Sequence, residues 1–127
     1  MHPLLYVLLA YALTLLTKLP VSLAMARQGG YDNHNPRLQQ AQLTGWGKRS
    51  VAAHQNAFEA FPAFAIAVVV AWLGEAEPRV FHGLAAGFLL LRVAYQCAYL
   101  ADAAMLRSIV WISGAACCAA LMLTPAF

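Results

Sequence analysis

The chain has 127 residues, of which 62% are hydrophobic and only 10% charged. A soluble domain carries about 25% charge, so these proportions exclude one and point to an all-α integral membrane protein. The length allows about four spans of ~20 residues in a single domain over 1–127. The net charge of +3 does not imply nucleic acid, because the basic residues are scattered or sit near the ends of apolar segments. That pattern reports topology.

The first span is predicted over 3–26. Met1-His2-Pro3 lacks a positive n-region and the apolar run that follows is too long for an h-region, so a retained span is expected rather than a cleaved signal. Pro20 has no amide for the carbonyl of Leu16, which predicts a kink or a neighbouring donor. Lys18 either snorkels to the interface, the commoner arrangement, or faces the bundle and competes for Glu59.

Residues 27–48 change character. Gly29-Gly30, the run Tyr31 to Pro36, the glutamine-rich segment to Gln42 and Gly45-Trp46-Gly47 read as one long loop, which cannot lie in lipid with its backbone unsatisfied. His34, between Asp32 and Asn35, reads as a turn residue and not a metal ligand. No metal site is expected.

The second span is predicted over 49–73, a tight acidic turn follows over 74–78, and the third span runs over 79–100. A short link leads to the fourth, over 106–125. All four read as helices, since barrel strands would be shorter and alternate in polarity. Cys97, Cys117 and Cys118 lie inside apolar segments without metal-ligand spacing and read as small buried side chains.

Arg27, Arg37, Lys48 and Arg49 flank or occupy the long loop against Asp32, whereas Glu75 and Glu77 sit in the turn after the second span with Arg79. The positive-inside rule therefore puts the long loop in the cytoplasm and both termini on the opposite side of the membrane, the plasma or inner membrane in a bacterium. Arg27, Arg49 and Arg107 then share the cytoplasmic face.

Glu59 and Arg92 are the charges carried deep into spans. A charge at the bilayer centre costs about 2.5–3.5 kcal/mol on insertion scales, so such residues mark a functional site. Glu59 lies ten residues beyond Arg49, and Arg92 ten residues before Asp102 on an antiparallel span. At ~1.5 Å per residue both are about 15 Å from the cytoplasmic boundary. One stripe carries Arg49, Ala52, Asn56 and Glu59, the other Arg92, Tyr95 and Tyr99. Facing stripes would pair Glu59 with Arg92 and set Asn56 near Tyr95, forming a cationic pocket for an anionic amphiphile or peptide.

The pattern Arg49-x4-His54-Gln55-Asn56-x2-Glu59-x2-Pro62, with Arg92-x2-Tyr95-x3-Tyr99 and the later Arg107-Ser108, resembles a bacterial-type member of the MAPEG family, the membrane-associated proteins of eicosanoid and glutathione metabolism. The resemblance covers nearly the whole chain. It implies a homotrimer of four-helix subunits that takes glutathione as co-substrate between neighbouring subunits. Arg27, Asn56, Glu59, Arg92, Tyr95 and Tyr99 would hold the tripeptide, with Arg49, a turn earlier, or Lys48 supplying the charge of a family arginine at the position of Ala52. Arg107, with Ser108 beside it, would activate the sulfur. Tyr95 stands where some relatives have His.

The implied activity is a glutathione-dependent transferase or peroxidase for detoxification of a hydrophobic small molecule arriving through the lipid bilayer. Two other readings are a MAPEG-like protein that binds lipid or glutathione without chemistry, and a small proton-coupled multidrug exporter using Glu59.

Overall fold

The structure, a computed structural model, describes residues 2–126; Met1 and Phe127, the two ends of the predicted domain, lie outside the described residues. Six α-helices follow one another: α1 (Pro3–Leu16), α2 (Lys18–Arg27), α3 (Pro36–Gln42), α4 (Gly45–Leu73), α5 (Pro78–Leu100) and α6 (Ala104–Leu123), with a 3₁₀ turn at Thr124–Ala126. The stretch Pro3–Arg27 and the helices α4, α5 and α6 are each long and apolar enough to cross a bilayer. The protein is a multi-pass integral membrane protein. The predicted spans agree with these helices to within a few residues.

The first span divides at Thr17, just before Pro20, where the expected interruption falls. The Thr17 hydroxyl lies 2.6 Å from the carbonyl of Thr14 and 2.7 Å from Nδ1 of His54 on α4. Because a carbonyl only accepts, Thr17 donates to Thr14 and receives the His54 Nδ1–H. The break in α1–α2 is thereby tied to its neighbour. Lys18 opens α2, partly exposed, and forms no ion pair with Glu59.

One sequence expectation fails at the loop. Gly45-Trp46-Gly47 is not loop but the first turn of α4, which starts four residues before the predicted boundary. The two glycines serve different needs. Gly45 has φ of +51°, a left-handed conformation that side chains resist. Gly47 is helical and buried, and a Cβ there would stand 3.1 Å from the Cβ of Ala24 and 3.3 Å from that of Leu43. It is a close-packing residue, where α2 and the end of the loop press against α4.

The remaining loop is shorter than read and contains α3. Oδ1 of Asp32 accepts the backbone N–H groups of His34 and Asn35 at 2.8 and 3.0 Å, so His34 sits in a turn. The Gln39 side chain accepts from the Asp32 N–H at 2.9 Å and donates to the Gly30 carbonyl at 2.7 Å. These bonds supply the loop with the partners its backbone needs.

Helix α4 is the central element, packing against α1, α2, α3, α5 and α6. Its buried positions are mostly small: Ala53, Ala57, Ala67 and Ala71. Lipid gives apolar surfaces no reason to leave it, so small residues that bring backbones close are what packs such helices. At the centre Phe64 and Phe88 stack with ring centroids 4.0 Å apart and planes at 4°, and Gly114 of α6 leaves room for Phe88.

Replacing Gly47 with valine should cost about 1–3 kcal/mol, the usual penalty for overpacking. Gly83→Val places its side chain in open space and should stay within about 0.5 kcal/mol of wild type. Reversible unfolding by sodium dodecyl sulfate in mixed micelles separates the two; equal midpoints would refute the packing role.

Candidate functional site

Arg92 projects from α5 into the bundle and is only 7% exposed. A guanidinium has five N–H donors and no acceptor, so burial demands acceptors nearby. The structure supplies the Asn56 side chain of α4, whose Oδ1 accepts from Arg92 Nη2 at 2.7 Å. The other end of that amide, Nδ2, donates to Glu59 Oε2 at 3.2 Å. A flipped amide would set donor against donor and carbonyl against carboxylate. Asparagine is thus matched at both ends, and its orientation follows from its neighbours' charges.

This geometry corrects the predicted direct pairing of Glu59 with Arg92. Both residues reach the same region, but no ion pair joins them, and Asn56 stands between as a neutral coupler. The facing stripes are in register, with the amide one turn before Glu59 taking the guanidinium. Asn56 was also expected near Tyr95. Arg92 links the two, bonding to Asn56 at 2.7 Å and lying 4.4 Å from the Tyr95 ring centroid.

From there the polar line continues along α5. Tyr95 and Tyr99 meet edge to face at 5.6 Å, and the Arg107 guanidinium of α6 lies 4.6 Å from the Tyr99 ring centroid. The two phenol rings are therefore flanked by a guanidinium on each side, each cation resting on a ring. The Ser108 hydroxyl donates to its own helix at the Ala104 carbonyl, 3.1 Å away.

Two cavities open on this line. One, about 380 Å³, is bounded by Asn56, Glu59, Arg92 and Trp111, with an apolar continuation past Ala115 and Cys118 toward Met122. The other, about 440 Å³, is bounded by Tyr95, Tyr99, Arg107, Ser108 and Trp111. Trp111 borders both. Seven of the nine residues singled out in the sequence thus line two adjoining cavities.

Arg27 and Arg49 stand apart. Arg27 lies 5.8 Å from the Trp46 ring centroid and lines a third cavity of about 270 Å³ with Gln28, Thr44 and Gly47. Arg49 reaches across the loop end to Asp102, 3.6 Å away, and to the Leu100 carbonyl at 3.5 Å. The helix face that carries Arg49 toward α5 ends at this link, so the side chain fastens α4 to α5 and borders none of these cavities.

The model of the MAPEG family matches residues 3–127. The chain belongs to the MAPEG family. No curated relative and no solved structure matches it. MAPEG proteins include glutathione transferases and peroxidases alongside other members, and the family is associated with glutathione use.

Two participants escaped the sequence reading of this MAPEG chain. Trp111 falls four residues after Arg107, on the same helix face, but a tryptophan in an apolar span gives no sign that it borders polar groups. Gln96, four residues after Arg92, donates to the Ala53 carbonyl at 2.9 Å and so fixes the height of α5 against α4.

Asn56→Leu removes the only side-chain acceptor bound to Arg92 among the described residues, and should cost about 1–3 kcal/mol, the penalty for a stranded buried polar group or somewhat more for a charged one. Glu59 is exposed within the chain, so Glu59→Gln should cost under about 1 kcal/mol. Unfolding midpoints in mixed micelles test this order; the reverse order would show that Glu59, not Asn56, holds Arg92.

Proposed function

We propose that this protein is a membrane-bound glutathione transferase or peroxidase acting on hydrophobic electrophiles, working as a homotrimer with one membrane domain over 1–127. The observation that carries the reading is the continuous line Glu59–Asn56–Arg92–Tyr95–Tyr99–Arg107 along two adjoining cavities. Glutathione bears two carboxylates and one ammonium. Two guanidinium groups and one carboxylate along a polar wall complement those charges.

In this reading Asn56, Glu59, Arg92, Tyr95 and Tyr99 hold the tripeptide, while Arg107, with Ser108 beside it, faces the sulfur. Arg27 lines a different cavity of its own chain, so it reaches the tripeptide from a neighbouring copy, which the trimer provides. Arg49 is occupied by Asp102, so it serves the site by holding α4 to α5.

The chemistry is a substitution at the electrophile. A cation beside the thiol favours loss of its proton to water, each unit of lowered pKa corresponding to about 1.4 kcal/mol. The thiolate's electron pair then forms the sulfur–carbon bond as the bond to the leaving group breaks. The electrophile enters from lipid along the apolar wall beyond Ala115, and the loop end with its arginines faces the cytoplasm, where the peptide is supplied.

Neutral coupling of Glu59 to a fixed cation speaks against an exporter, whose carboxylate must exchange protons with a mobile one. The discriminating experiment is calorimetric titration with reduced glutathione together with conjugation to chlorodinitrobenzene. Wild type should bind and turn over, and Arg107→Ala should lose about 10²–10³-fold in kcat, the scale for removing one electrostatic stabiliser. Binding without turnover in wild type would identify a non-catalytic family member. Absence of both would overturn the proposal.

A further inference from the structure

The far end of the bundle, around Glu75, holds a cavity of about 340 Å³ that the proposed chemistry leaves unused. Its walls include Trp72 from the end of α4, Glu75 and Pro78 from the turn, Phe81 and His82 from the start of α5, and Pro3 from the start of α1. Among the described residues no lysine or arginine lines it.

The rings are held by one another. His2 meets Trp72 edge-on at 5.4 Å, Tyr6 lies 6.0 Å from Phe81 and 5.7 Å from His82, and Phe81 and His82 meet edge to face at 5.2 Å. Nδ1 of His82 is buried and has no hydrogen-bond partner among the described residues, and the His82 side chain lines the cavity.

The carboxylates of the turn differ. Glu77 caps α5, accepting the Val80 N–H at 2.8 Å. Glu75 has φ of +56°, stands exposed, and its carboxylate has no hydrogen bond or ion pair among the described residues. An anion would meet both this charge and the negative faces of the rings. An uncharged guest would gain nothing from the carboxylate. An ammonium is attracted by the carboxylate and by the π faces together.

The volume lies within the range of small-molecule sites. The cavity sits where the second span ends and the first and third begin, which is headgroup depth, and Trp72 is the residue type that marks that depth. We propose that it binds the ammonium head of an amphiphile, with the tail lying along the outside of the helices.

The test is calorimetric titration of the purified protein in dodecyl maltoside with phenyltrimethylammonium. Saturable binding is expected, weakened about tenfold or more in Glu75→Gln and in Trp72→Leu, and unchanged in Glu77→Gln. Wild-type melting temperatures in the variants separate lost binding from lost folding. tert-Butylbenzene, the uncharged isostere, should bind at least about tenfold more weakly. Equal affinity for the two probes, or an unaltered titration in Glu75→Gln, would overturn the assignment.

Repeating the titration in nanodiscs of phosphatidylethanolamine and of phosphatidylglycerol identifies the source. Competition confined to the ethanolamine lipid assigns the site to a lipid head, and equal titrations assign it to a free cationic amphiphile.

Discussion

The structure depends on the two-ended amide of Asn56. A guanidinium removed from water must find acceptors or its burial costs several kcal/mol, and a carboxylate at the same depth must find donors. Paired directly, the two would neutralise each other and leave little field for a ligand. With a neutral amide between them, each charge is partly satisfied and each retains unsatisfied capacity: further N–H donors on Arg92 and a second oxygen on Glu59. That residual capacity would suit a guest carrying both signs of charge, as the proposed function requires.

The same requirement organises the neighbouring contacts. Arg92 and Arg107 each rest on a tyrosine ring, an arrangement that steadies a cation without neutralising it. Gln96 fixes α5 against α4 through the Ala53 carbonyl, and Arg49 closes the loop end through Asp102. The latter pair joins a half-buried arginine to an exposed aspartate at 3.6 Å and contributes little energy. Both set the relative height of the two helices on which the amide bridge depends, since a slip of one residue is about 1.5 Å, enough to break a 2.7 Å hydrogen bond.

The four spans were legible because an apolar run of about twenty residues has few alternatives to a transmembrane helix. Depth was legible too, since helical rise alone places Glu59 and Arg92 at one level. What failed was resolution below one turn: the counting could not tell Glu59 from Asn56 as the partner of Arg92, since both lie on the same stripe. Gly45-Trp46-Gly47 was misread for a different reason. A glycine needed for close approach to Ala24 looks, in sequence, like one needed for a turn, and only the neighbouring helix distinguishes them. The separation of Arg27 and Arg49 from the polar line was equally hidden, because sharing a membrane face says nothing of which groove a long side chain enters.

The asymmetry of the two ends follows from the same economy of charge. At the loop end Arg27, Arg37, Lys48, Arg49 and Arg107 gather with Asp32 and Asp102, and two of these cations are already spent on Trp46 and Asp102. At the other end the turn carries Glu75, Glu77 and Arg79, and the neighbouring polar surface is largely aromatic and imidazole. A guest rich in carboxylates is drawn to the first end and repelled by the second, and a cationic one meets the opposite preference. Between them the stacked Phe64–Phe88 pair and its small neighbours form an apolar middle with no polar partner to offer. The helices thus keep two electrically opposite regions apart across one membrane thickness, so either can be altered without disturbing the acceptors on which the other relies.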